Sequence, residues 1–337
     1  TSFAALLSDF LSNKKSKIIY CICVIILILI AGFRDSEGIH HDYLVYAGYY
    51  HQVVAGSLSY FIEISFVYIA KFSHLIINNN PIVLFIIYAI IGVSLKAYAI
   101  NRLSKFFLYS LVIYVSNYFI IHEMIQIRTG IASALILLSI IPLYEKSLPK
   151  FITLITLATF FHYSSFIFLA LVFLRKNSFN RVFYLFLIPF SYLLYFFLKS
   201  IDLIALLSNL IPFVGILDKL DTYGTGDEFG VNVFGLYPLI RLVILIFFVI
   251  FSHKIHQYNS YFYLHLKLYA IGVFSYVALS MYPLISVRIA YTLMLSEIII
   301  IPTLIYVIKG FYLPRLIIFL YAFLAFFLNV LFTPYFQ

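Results

Sequence analysis

The feature that most constrains this chain is a succession of apolar runs, each close to 20 residues long, separated by short polar joints. The runs lie near 18–33, 59–77, 81–101, 106–121, 126–144, 151–174, 182–200, 234–252, 262–281, 287–308 and 315–333. A helix rises about 1.5 Å per residue, so roughly 20 residues cross a hydrocarbon core of about 30 Å. Of 337 residues, 64% are hydrophobic and 10% charged, too little polar surface for a soluble domain of this size to cover itself. The expected fold is all-α, a polytopic transmembrane helix bundle of about 10–11 spans, forming one integral membrane domain over residues 1–337.

The first run follows Lys14, Lys15 and Lys17 and has the look of a signal peptide's apolar region. No small-residue cleavage site follows it, so it is read as a retained first span. The net charge of +9 sits at the ends of apolar runs, the positive-inside pattern, and so argues for no nucleic-acid partner. Cys21 and Cys23 both fall inside the first run and offer neither a disulfide framework nor a metal site.

Two stretches, 34–57 and 202–232, are too polar to span and are expected to protrude, the second through a loop at 218–230 rich in Gly, Asp and Thr. Lys14 to Lys17 places the amino-terminal side in the cytoplasm, and 175–181, Lys254 and 309–315 then fall on the same side. Both polar stretches face outward. Eleven full spans leave Arg102, Lys105 and 145–150 on the outer face. A non-spanning 59–77, which carries Glu63, Lys71 and His74, with a re-entrant 151–174 broken at Phe161-His162-Tyr163-Ser164-Ser165, brings every basic joint inside. The sequence leaves both topologies open.

Charge at bilayer depth is costly, so an ionisable residue in or beside a span is a functional candidate by default. Arg34, Arg128, His162, Arg241 and Arg288 are such residues. Asp42, Tyr46 and Tyr50 recur at intervals of four and share one face of an expected amphipathic helix, with an interfacial aromatic anchor as the plainer alternative. Arg128 opens a run with small residues at Gly130, Ala132 and Ala134; its plainer reading is an ion pair with Glu123. His162 has the hydroxyls of Tyr163, Ser164 and Ser165 beside it, and serves equally well as a helix–helix hydrogen-bonding residue or as part of a polar pocket. Arg241 and Arg288 lie near the outer face in this orientation. Guanidinium groups suit a pyrophosphate, which they grip bidentately without losing charge. No Gly-rich phosphate loop, HExxH or CxxC is present.

The order Gly32-Phe33-Arg34, Asp42 with Tyr46 four on, Ile127-Arg128-Thr129-Gly130-Ile131-Ala132, Phe161-His162-Tyr163-Ser164-Ser165, and Arg288 before an aromatic span resembles the EpsG-type polymerases. These are relatives of the Wzy-type O-antigen and capsular polysaccharide polymerases. The chain departs from the family pattern where Ile39-His40-His41 separates Gly38 from Asp42, and where Thr129 follows Arg128 in place of Gln.

The resemblance implies a GT-C-like membrane glycosyltransferase of the bacterial inner membrane, with its active site toward the periplasm or cell exterior. Its partners are the bilayer and lipid-linked oligosaccharide donor and acceptor, with a chain-length regulator as a further partner; no cofactor, metal or nucleotide sugar is implied. In that frame Arg34, Arg128, Arg241 and Arg288, with Tyr46, bind pyrophosphate and glycan, and Asp42 and His162 rank equally as base. A flippase or transporter of polyprenyl-linked glycans is the rival, weakened by the lack of an internal repeat. An O-acyltransferase also uses a membrane His, but no second polar constellation is legible beside His162. For the topology, cysteines placed in 218–230 are expected to react with an impermeant thiol reagent from outside and those in 175–181 are not; the reverse pattern inverts the orientation.

Overall fold

A backbone that leaves water must satisfy its own N–H and C=O groups, and a helix does so within one segment. The computed structural model describes residues 4–6, 9, 11–34, 40–57, 62–174, 178–200 and 231–332, and all structural statements concern these. They contain no strand. The chain runs through α1 (Asn13–Gly32), α2 (His40–Val54), α3 (Ile64–Ile76), α4 (Ile82–Leu103) and α5 (Phe107–Asn117) to a π-helical turn, Ile120–Ile125. Then come α6 (Ile127–Tyr144), α7 (Leu148–Phe161), a 3-10 helix (Tyr163–Phe173), α8 (Arg181–Lys199), α9 (Leu236–Ile250), α10 (Ser252–His256), α11 (Phe262–Ala278) and α12 (Pro283–Met294). Short turns over Glu297–Ile300 and Ile301–Tyr306 precede the last helix, α13 (Tyr312–Phe332). Polar residues set several starts: the Ser12 side chain accepts from Lys15 N–H ahead of α1, and Asn180 from Phe183 N–H ahead of α8.

Six helical segments, Asn13–Gly32, Ile82–Leu103, Ile127–Tyr144, Arg181–Lys199, Pro283–Tyr306 and Tyr312–Asn329, are long and apolar enough to cross a bilayer, and six shorter apolar helices accompany them. The protein is a multi-pass, all-helical membrane protein, as its sequence leads one to expect. Both runs that the second topology singles out are cut short. In place of 59–77 stands α3, whose 13 residues reach only about 20 Å. The run 151–174 breaks at His162, whose extended backbone (φ −153°, ψ 110°) ends α7 and starts the 3-10 helix. The polar stretch 34–57 is largely helix, since α2 fills 40–54 and buries Tyr46 and Tyr50. The expected outward loop at 218–230 and the joint 175–177 lie outside the described residues.

The helices fall into two compact units, one made of Thr1–Leu174 with Ile298–Gln337 and the other of Arg175–Glu297. In the first, α1 packs on α4, α4 on α6, α6 on α7, and α13 on α5. Of the span residues in α6, 83% are buried against 28% in α1, so α6 is the internal helix and α1 the one whose isoleucines face outward. The last helix is pinned by polar contacts: Asn329 Nδ2 donates to Asn117 Oδ1 at 3.0 Å, and Arg315 Nε donates to the Asp9 carboxylate at 2.6 Å. In the second unit α11 is central, flanked by α8, α9 and α12.

The π turn between α5 and α6 is the irregular backbone of the first unit. Its Glu123 and Met124 carbonyls accept hydrogen bonds from Arg34 Nη1 at 3.0 and 2.5 Å, which fulfils the rule that non-helical backbone at this depth needs partners in the protein. The turn closes so tightly over the start of α6 that a Cβ on Gly130 would run into the His122 carbonyl oxygen. Gly130→Ala is therefore expected to destabilise the protein by about 1–3 kcal/mol, read as a lowered thermal midpoint of the purified chain; an unchanged midpoint would show that the turn yields.

Candidate functional site

Charged groups from three separate stretches of the first unit meet at the start of α3. Glu63 immediately precedes that helix, and its side chain is only 4% exposed. One carboxylate oxygen forms an ion pair with Arg128 Nη1, and the other lies 3.1 Å from His162 Nδ1. Two further bonds hold these segments together: Ser65 Oγ donates to the Phe160 carbonyl at 2.7 Å, and the Tyr163 hydroxyl donates to the Ile62 carbonyl at 3.4 Å. The start of α3 is thus tied to the chain on both sides of His162, and the break between α7 and the 3-10 helix delivers the imidazole to the carboxylate.

Above the Glu63–Arg128 pair lie aromatic rings of α2. The Arg128 guanidinium carbon stands 5.4 Å from the ring centre of Tyr46 and 5.7 Å from that of Tyr49, within cation–π range. Both rings rest on Phe66, with centroids 6.1 and 6.3 Å away. Arg34 lies 4.0 Å over the Phe85 ring, on which Tyr43 also stacks. Asp42, in the first turn of α2, is near enough for its charge to act on Arg34 and Tyr46. The structure thereby brings Arg34, Asp42, Tyr46, Arg128 and His162 into one region of the first unit.

Electrostatics fix the protonation of the central pair. Burial pushes the Glu63 carboxyl up, but the His162 hydrogen bond and the Arg128 charge outweigh it and hold the group below its ordinary value of 4.5. An ionised carboxylate only accepts, so His162 Nδ1 is the nitrogen that donates to it. Nε2 is buried without a hydrogen-bond partner in the protein, as are Arg128 Nε and Arg34 Nε and Nη2.

The other two arginines belong to the second unit. Arg241 is buried and ion-paired with Glu297, donates to the Tyr237 hydroxyl at 3.0 Å and lies 4.7 Å over that ring. Arg288 is half-buried on α12, one turn before Tyr291, whose ring centre is 6.0 Å from that of Tyr237. Arg128 does not pair with Glu123, the plainer reading of its sequence; Glu123 pairs with Lys96 instead. His162 finds its polar partner in Glu63, while Tyr163 and Ser164 beside it are exposed. Among the described residues no three His, Cys, Asp or Glu side chains form a metal-binding group.

Helices long enough to span, a first span followed by Arg34 and an aromatic α2, and a buried carboxylate joining an arginine to a histidine define a multi-pass membrane protein with a buried charged cluster. The model of the EpsG family matches residues 17–337, nearly the whole chain, and the protein belongs to that family. No curated protein and no solved structure matches it.

The depressed Glu63 pKa sets a pH dependence with a definite sign. Its contribution to stability is fully present above about 4.5 and is lost as pH falls through the lower folded-state value. Thermal midpoints measured from pH 7 downward are expected to show an acid loss in the native protein that Glu63→Gln reduces. An identical acid limb in both would remove the ion pair from the account.

Proposed function

We propose that the protein is a polysaccharide polymerase that transfers a glycan from undecaprenyl pyrophosphate to the non-reducing end of another lipid-linked repeat unit. The observation that carries this reading is the Glu63 carboxylate shared between Arg128 and His162, with His162 Nε2 left open. Family membership supports the substrate class.

In the proposed step the acceptor hydroxyl oxygen attacks the anomeric carbon of the donor. The bond from that carbon to the pyrophosphate oxygen breaks, and its electron pair leaves with undecaprenyl pyrophosphate. The hydroxyl proton passes to His162 Nε2, and Glu63 steadies the imidazolium through Nδ1–H, as a third group orients the base in other base-assisted transfers. The open edges of Arg128 and Arg34 stabilise the charge that grows on the leaving pyrophosphate, and Tyr46 and Tyr49 offer faces on which sugar rings stack. Asp42 then serves to hold Arg34 and Tyr46 rather than to take the proton. Arg288 is a further candidate for the glycan or its pyrophosphate, whereas the commitment of Arg241 to Glu297 suits it to support. The scheme needs neither metal nor nucleotide sugar. The outer face of a bacterial inner membrane, where lipid-linked repeat units are presented, is the proposed setting, with a chain-length regulator as partner.

The purified chain given only lipid-linked repeat units is expected to release undecaprenyl pyrophosphate and make a ladder of longer glycans. His162→Ala should lower ladder synthesis by roughly 10²–10⁴-fold, the usual contribution of a positioned base, while still binding donor. Arg128→Lys keeps the charge but loses the fork, and a clear loss of ladder with the protein still in the membrane is expected. Relocation of chemically unchanged repeat units across vesicles, with no ladder, would make the protein a transporter instead.

A further inference from the structure

Lys96 sits within α4 and is fully buried; its ammonium meets the Glu123 carboxylate at 2.5 Å and the Gly130 carbonyl at 2.6 Å. The Tyr114 hydroxyl of α5 donates to the same carboxylate oxygen at 2.9 Å. Space for that carboxylate is left by Gly92, one helical turn before Lys96, where a Cβ would overlap Glu123 Oε2. The proposed transfer uses none of these groups. Stability gives no ready reason for them either, because a buried ion pair can often be exchanged for apolar side chains without loss.

Their placement along the chain does give a reason. Arg34 grips the carbonyls at 123 and 124, and Lys96 grips the side chain at 123 and the carbonyl at 130. Arg128 lies between these fixed points, on the first turn of α6. One residue of slip turns a helix by about 100°, enough to carry the guanidinium away from Glu63 and from the rings of Tyr46 and Tyr49. The π turn, with its extra residue in the helical path, is where such slip would occur.

We infer that Lys96, Glu123 and Gly92 are positioning residues that set the register at the start of α6 and so aim Arg128 at Glu63 and at the donor pyrophosphate. The aim at Glu63 stands on geometry alone; the aim at pyrophosphate rests on the polymerase reading.

The test uses the full chain in lipid nanodiscs and two altered backgrounds. Lys96→Met with Glu123→Leu removes both charges so that neither is stranded, and Gly92→Ala keeps both but displaces the carboxylate. The first measurement needs no substrate: thermal midpoints of Arg128→Lys, Glu63→Gln and their combination in each background. In the native background the two shifts are expected to be non-additive, because the residues touch; in both altered backgrounds they should simply add. The second is ladder synthesis, expected to fall roughly 10²-fold in the altered backgrounds, the scale of a 1 Å misplacement, with little further loss on Arg128→Lys. Native coupling in either folded background overturns the inference. Lost coupling with native ladder synthesis overturns the aim at pyrophosphate alone. If the native chain makes no ladder while coupling is lost as expected, the polymerase reading fails and the positioning role stands. Should the double replacement fail to accumulate, Gly92→Ala decides.

Discussion

A carboxylate removed from water needs cations or donors to stay ionised, and the first unit is arranged around one that has a partner on each oxygen. Glu63 shares its two oxygens between Arg128 and His162, and that demand brings three distant stretches of chain to one point. It explains why α3 begins where it does, why the run after α7 breaks at His162, and why α6 opens with a charged side chain. It also divides the polar atoms of the site: the guanidinium is held at Nη1 and the imidazole at Nδ1, while Arg128 Nε and His162 Nε2 are buried without a hydrogen-bond partner in the protein.

Other buried carboxylates are spent differently. Glu123 is enclosed by Lys96, Tyr114 and the start of α6 at Gly130, and Glu297 is ion-paired with Arg241, which also donates to the Tyr237 hydroxyl. Both are fully buried and serve packing geometry. The Glu63 cluster alone among these three has partners that remain partly exposed, 19% for the Arg128 side chain and 14% for His162. That difference in access sets the Glu63 cluster apart from the two closed pairs.

The helical, polytopic fold was legible because bilayer thickness acts on apolar run length directly. The candidate arginines and His162 were legible for the same reason, as costly exceptions in apolar sequence. Lys96 is no less an exception in 81–101 and carries the same signal, yet a single lysine amid a span reads as snorkelling until its partner is seen. Glu63 was hidden more deeply. It sits 65 residues from Arg128 and 99 from His162, and no local spacing announces a carboxylate that bridges them. In the sequence it served only to make 59–77 look too polar to span. Hydroxyls adjacent to His162 gave a mixed signal for a related reason: Ser164 is exposed and Ser165 buried, and the Tyr163 hydroxyl reaches the Ile62 carbonyl, while the imidazole itself pairs with Glu63.

The first unit is assembled from two separate stretches of chain, with its last helix held by Asn329 against Asn117 and by Arg315 against Asp9. Synthesis runs from the amino terminus, so these bonds wait for residues made after the whole of the second unit. The second unit is continuous and has all of its own residues while the first still lacks α13. During that interval the polar face of α5 with Asn117, and the Asp9 carboxylate, are without the partners they have in the finished protein. Completion of the first unit therefore follows synthesis of the second, and the unit that carries the Glu63 cluster is the later of the two to have all of these residues.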